Sequence, residues 1–154
     1  DNSKGMRYIR IDKSEINLIP INKIQKTFCY CYFRNKKYQE KDKTLILSHG
    51  SICSISLPFF NDQFKIDVYT LAKLKESQYL LDLCKKYKKI LTIEEHSEIN
   101  GFFSFISALL SKYKILKEID YVALPEEHIS IVGDQAFLRE KLRLDSKSLY
   151  SKLI

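Results

Sequence analysis

From Ile90 the chain reads Ile-Leu-Thr-Ile, passes without a break into Glu94-Glu95-His96-Ser97, and resumes an apolar course at Ile99. An apolar block this short and unbroken is the pattern of a parallel strand buried on both faces. The stretch from Ile99 to Tyr113 is long enough for a helix, and Phe102, Phe103, Phe105, Ile106, Leu109 and Leu110 cover most of its circumference. Such a helix is expected to be sandwiched between layers rather than laid on a surface. Together these two segments restrict the chain to an open α/β sheet. Glu94, Glu95 and His96 then fall at the carboxyl end of a strand, where such sheets place ligands and domain contacts.

The rest of the chain keeps that rhythm. Phe28 to Arg34 is apolar on both faces, and the polar connection Asn35 to Lys43 lacks a helical pattern. It leads to the strand Thr44–Ser48, so the first two strands are expected to be antiparallel neighbours. Gly50 to about Phe60 reads as a short helix interrupted by Pro58, with Ser51 as its N-cap, and Ile66–Tyr69 as a third strand. Ser77 can cap a helix running to Tyr87, whose apolar stripe is Leu80, Leu81, Cys84 and Tyr87; lysines gather at its negative end. Ile90–Ile93 and Lys117–Leu124 are strands four and five. Asp134 and Asp145 read as N-caps of two terminal helices. The expected fold is a three-layer α/β/α sandwich with about five strands, mostly parallel, one antiparallel. Residues 1–26, with the strand Met6–Ile11 and an irregular stretch holding Pro20, read as the tail of a preceding domain plus a linker. Residues 27–154 form the domain proper. The opening Asp1-Asn2-Ser3 lacks a Met, as an excised fragment or processed product would.

At 154 residues, 45% hydrophobic and 29% charged, the chain can bury a core of its own. Its net charge of +7 comes from lysines scattered over turns and helix ends, including Lys36, Lys37, Lys41, Lys43, Lys85, Lys86, Lys88 and Lys89. Those positions suit solvated charges, and the spread does not form the basic stripe of a nucleic-acid binder. No apolar run can span a bilayer, and nothing at the N-terminus reads as a signal peptide. Cys29, Cys31, Cys53 and Cys84 have neither zinc-knuckle nor Cys-x-x-Cys spacing; they read as buried reduced thiols of a cytoplasmic protein.

Sheet topology would bring Ser48-His49-Gly50-Ser51 and Glu94-Glu95-His96-Ser97 to one edge. Ser51, His96 and Glu95 could there form a nucleophile, base and orienting acid. The segment lacks the Gly-x-Ser-x-Gly elbow that exposes such a nucleophile, and polar residues are also the ordinary wet rim of a sheet. Adjacent strand residues Glu94 and Glu95 point to opposite sides, against a two-carboxylate site, and Glu95 with His96 makes a poor metal pair. An anion held at the helix start near Gly50 rests on one glycine. His128, beside Glu126 and Glu127, reads as a solvated loop histidine. No catalytic, cofactor-binding or metal-ligating residue is assigned from the residues themselves.

The ordered set of these motifs resembles the C-terminal domain of transketolase-like, thiamine-diphosphate-dependent enzymes. Ser48-His49-Gly50-Ser51 looks like the family's Thr-Gly-Ser turn. Asp67-Val68-Tyr69-Thr70-Leu71 resembles the strand before its Pro-Leu-Asp, here replaced by Lys73-Leu74-Lys75. Glu94-Glu95-His96-Ser97 matches the Glu-Glu-His-Ser motif, Asn100-Gly101 stands where Gly-Gly is usual, and Phe103 takes the place of a third glycine. Val132-Gly133-Asp134 through Leu142-Arg143-Leu144-Asp145 resembles the Gly-Leu-Asp tail with Arg143 for glycine. Tyr8-Ile9-Arg10-Ile11 resembles the strand closing the preceding pyrimidine-binding domain.

The resemblance implies a non-catalytic module that packs against its pyrimidine domain and supports dimerisation. The parent would transfer a two-carbon ketol unit between sugar phosphates. A deoxyxylulose-phosphate synthase or the β subunit of a 2-oxoacid dehydrogenase is the alternative within the family, and a free-standing phosphometabolite-binding module the alternative outside it. Thiamine diphosphate and Mg²⁺ are implied for the parent and not for this fragment. Its partners would be pyrimidine-binding and diphosphate-binding domains or subunits, in a homodimer or heterotetramer, with neither nucleic acid nor membrane. Glu94, Glu95, His96 and Gly101 are assigned to a structural or domain-interface motif.

Overall fold

A computed structural model of the protein describes residues 29–126 and 130–154. The strand Met6–Ile11, the linker, the boundary near residue 26, Phe28, Glu127 and His128 lie outside the described residues. Five strands form one sheet: β1 (Cys29–Arg34), β2 (Thr44–Ser48), β3 (Ile66–Leu71), β4 (Lys89–Ser97) and β5 (Glu118–Leu124). Their spatial order is β1-β3-β2-β4-β5. β2 pairs in parallel with β3 and β4, β4 with β5, and only β1 runs antiparallel. The helices are α1 (Gln78–Lys86), α2 (Phe102–Lys112), α3 (Gln135–Lys141) and α4 (Ser146–Leu153), with a 3-10 helix at Ser51–Phe59.

Strand alternation sorts the apolar residues into two cores. Leu45, Leu47, Tyr69, Leu71 and Ile90 meet α1 and α2 on one face. Ile46, Ile66, Val68, Leu91 and Ile93 meet the 3-10 helix, Leu144 and Leu149 of α4 on the other. Both faces being covered accounts for the unbroken apolar runs of the central strands. The three-layer architecture is the expected one, and Ser77, Asp134 and Asp145 cap α1, α3 and α4 through their side chains as read from the sequence.

Four local expectations need correction. β1 is not the neighbour of β2, because β3 lies between them. The connection 35–43 instead crosses the amino end of β3, carried by Asn35, which donates from its backbone N–H to Asp67 Oδ1 (2.8 Å) and from its side chain to Phe64 O (2.7 Å). Lys43 is not solvated: its ammonium lies 2.6 Å from Asp67 Oδ2, with side-chain exposures of 1% and 0%. Helix α2 starts at Phe102 and buries one face only, through Phe102, Ile106, Leu109 and Leu110, leaving Phe103 and Phe105 half-buried. Ser51 is inside the 3-10 helix, whose N-cap is Gly50 at φ 89°; the hydroxyl is therefore turned to other partners.

The thiols follow the burial pattern. Cys29, Cys53 and Cys84 are buried and Cys31 half-buried, all four as free thiols. Burial pushes Cys29 and Cys84 up to about 12.

Candidate functional site at the carboxyl edge

The chain leaves β2 toward β3 on one side and later places β4 on the other. The crevice between the carboxyl ends of β2 and β4 is therefore the topological switch point of the sheet, the usual ligand position in open α/β folds. The two motifs singled out in the sequence both arrive there. Glu94, Glu95 and His96 belong to β4 itself, and the β4–β5 register shifts between Ile93 and Ser97, a bulge that re-aims these side chains.

Glu94 turns toward α2 and is 3% exposed. Its two oxygens accept from the backbone N–H of Phe102 (2.5 Å) and of Phe103 (2.7 Å). The first-turn donors of α2 are thus satisfied by a carboxylate from a neighbouring strand, which also complements the helix dipole. The residue at the cap is Gly101, which has no side chain to do this. A Cβ there would be driven into Ser97 O and the Glu94 carboxylate, whose Cδ would lie only 2.9 Å away. Asn100, at φ 60°, makes the preceding turn, and its N–H donates to Ser104 Oγ (3.1 Å).

Glu95 points to the opposite face. Its Oε1 accepts from Arg139 Nε at 2.7 Å and from Gln135 Nε2 at 3.4 Å, both on α3. Arg139 also donates to Ser51 Oγ (3.3 Å) and Ser54 Oγ (3.4 Å), while Ser51 donates to Glu95 Oε2 at 3.5 Å. Residues three apart eclipse on a 3-10 helix, which aligns the two serines.

The structure therefore brings Ser51 and Glu95 together and leaves His96 out. His96 is exposed, with Nδ1 at 3.2 Å from the carbonyl of Ser97. Beside Ser51 stand the Arg139 guanidinium, which cannot accept a proton, and, at 3.5 Å, a Glu95 carboxylate already engaged by that guanidinium; the imidazole of the expected Ser51–His96–Glu95 set is not among these partners. His49 Nδ1 donates to Leu71 O at 2.7 Å, tying the β2 turn to the end of β3. Because Glu94 and Glu95 diverge across the sheet, they cannot converge on one cation. Among the described residues no three His, Cys, Asp or Glu side chains could hold a metal ion. This donor set does not fit thiamine diphosphate with its divalent metal.

Sequence reasoning missed Arg139, Ser54 and Gln135. The usable signal was an arginine in a Lys-rich chain, since the planar guanidinium reaches several acceptors at once.

No family model matches the chain. It is 27% identical over 122 residues to the 1-deoxy-D-xylulose-5-phosphate synthase of Alkaliphilus oremlandii, covering 75% of this chain and 19% of the synthase. It is 34% identical over 76 residues to that of Natranaerobius thermophilus, covering 49% and 12%. The chain thus matches less than a fifth of each synthase's length. Among solved structures, a split-gene transketolase described as an inactive β4 tetramer superposes with TM-score 0.63 at 20% identity, over 75% of this chain and 39% of that one. Transketolase from Campylobacter jejuni gives 0.52 at 15% identity, over 82% and 18%.

The five-stranded, mostly parallel sheet with one antiparallel strand is the fold shared with these transketolase structures. In fold the chain resembles a transketolase domain, and in sequence it is similar to a stretch of two 1-deoxy-D-xylulose-5-phosphate synthases, which is consistent with the C-terminal section of such an enzyme.

Proposed function

We propose that this chain is the non-catalytic C-terminal domain of a thiamine-diphosphate-dependent, transketolase-like parent. Residues 1–26 would come from its pyrimidine-binding domain, and residues 27–154 would pack against that domain and support the parent's assembly. The observation that carries the reading is the use made of the Glu-Glu-His motif. Glu94 is spent on capping α2 and Glu95 on Arg139, which leaves His96 and the exposed rim to face a neighbour. Cofactor, metal and reacting sugar would then be held by the rest of the parent, in a cytoplasmic dimer or heterotetramer.

For the parent's reaction, the fold neighbours support ketol transfer between sugar phosphates, and the two sequence relatives support the 1-deoxy-D-xylulose-5-phosphate synthase branch. Assaying the parent for sugar-phosphate exchange and for synthase product separates the two. In the parent, His96→Ala should leave turnover per folded assembly within roughly fivefold, since loss of one hydrogen bond costs about 1 kcal/mol. A fall of several orders of magnitude with assembly intact would place His96 in the active site and overturn the reading.

A further inference from the structure

Helix α3 sits over the switch-point crevice on unusual terms. None of its residues is buried; Gln135, Leu138 and Arg139 are half-buried and the others exposed. Seven residues are too few to hold a helix by local hydrogen bonding alone. Before it, residues 130–134 carry no regular structure, and Val132 is 93% exposed. After it, the chain turns at Arg143, which holds φ 59°, and is anchored by Leu144, 2% exposed in the second core.

Apolar packing reaches only the end of α3, where its C-cap Leu142 is half-buried against the second core; the polar ties of its body pass largely through one side chain. Arg139 reaches Glu95 at the end of β4 and Ser51 and Ser54 on the 3-10 helix, and Gln135 adds a longer contact to the same carboxylate. The Arg139 and Glu95 side chains remain 15% and 34% exposed, so water can replace either partner. Segments with little buried apolar surface and solvent-reachable tethers are the ones that open below the global unfolding limit.

We propose that α3 is a latch over the crevice between β2 and β4, held shut by the Arg139 clasp and opening while the sheet stays folded. Opening releases residues 135–141, leaves Leu142 and Leu144 seated against the second core, and bares Ser51, Ser54 and Glu95 at the carboxyl edge. This goes beyond the packing role proposed above and holds whichever parent the domain serves.

Hydrogen exchange read by mass spectrometry on the 154-residue chain tests it. In the unaltered protein, peptides over 135–141 should exchange well before those over β2 and β4. Arg139→Ala should speed that segment roughly fivefold, the scale of a lost, partly exposed ion pair, with β2, β4 and α2 unchanged. Raising salt from about 0.1 M to about 1 M should speed the same peptides alone. Glu95→Gln, which keeps the shape and removes the charge, is the second variant and should act in the same direction. Exchange over 135–141 as slow as in β4, or unmoved by both variants, overturns the proposal. Acceleration of every segment together overturns it too, because α3 would then belong to the global folding unit.

Discussion

The two edges of the sheet each hold a cation against a carboxylate, and they use the pair in opposite ways. At the amino edge, Lys43 and Asp67 are sealed from water. The lysine also donates to Asn35 O (2.9 Å), Tyr87 donates to the same carboxylate at 2.6 Å, and Asn35 occupies its other oxygen at 2.8 Å. Both charges are hydrogen-bonded by several partners there, which is what makes a buried charge tolerable. At the carboxyl edge, Arg139 and Glu95 stay within reach of solvent. The first pair ties β1, β2, β3 and the α1–β4 corner into one unit. The second fastens a short helix to a finished sheet. Burial, more than the chemical identity of the ions, separates architecture from an adjustable contact.

The largest expected effect comes from breaking the amino-edge network. Asp67→Ala leaves Lys43 buried without its counter-ion, and urea unfolding should show a loss of about 3–5 kcal/mol. The comparison breaks if the loss is no greater than for Arg139→Ala. The double change Lys43→Met with Asp67→Leu should recover only part of it: it removes the buried charge but leaves the Tyr87 hydroxyl and the Asn35 N–H without their acceptor.

Next in size is Gly101→Ala. The added methyl meets a backbone carbonyl and the Glu94 carboxylate, so a cost of about 1–3 kcal/mol is expected from overpacking, and more if Glu94 loses its hold on α2. Thermal unfolding of Gly101→Ala beside Asn100→Gly checks that the crowding, and not the turn, is responsible. A neutral Gly101→Ala would mean that Glu94 does not fix the start of α2.

A pH dependence sharpens the contrast. Burial raises Cys29 and Cys84 to about 12, and burial with the adjoining Asp67 carboxylate raises Tyr87 as well. These groups are neutral when protonated and buried, so the unfolded chain loses their protons first. Their contribution is complete below about pH 9, the ordinary thiol value, and is lost as pH climbs toward about 12. Denaturation midpoints measured across that window should fall. Native thiol labelling should stay slow for the three buried cysteines until the protein unfolds, and fast labelling of Cys29 or Cys84 at neutral pH would contradict their burial.

The smallest effects belong to the carboxyl edge. Arg139→Ala should lower global stability by no more than about 1 kcal/mol, because the pair is partly exposed and no residue of α3 is fully buried. Arg143→Gly should leave stability level or raise it by up to about 1 kcal/mol. Glycine relieves the left-handed backbone at φ 59° and gives back part of that gain as unfolded-chain entropy. Calorimetry on these two variants, beside the Asp67 series, measures the distance between the edges.

Local and periodic features were legible without coordinates. The five strands, the caps Ser77, Asp134 and Asp145, the divergence of Glu94 and Glu95, and the three-layer class all follow from side-chain period and backbone chemistry within a few residues. The crossover of β1 past β2, the burial of Lys43 and the pairing of Glu95 with Arg139 were not legible. Each depends on residues between 24 and 44 positions apart whose meeting is set by how strands order themselves in the sheet. A lysine beside a turn carries the same sequence signal whether it ends in water or against Asp67. Only the packed structure, by removing the water, decides which.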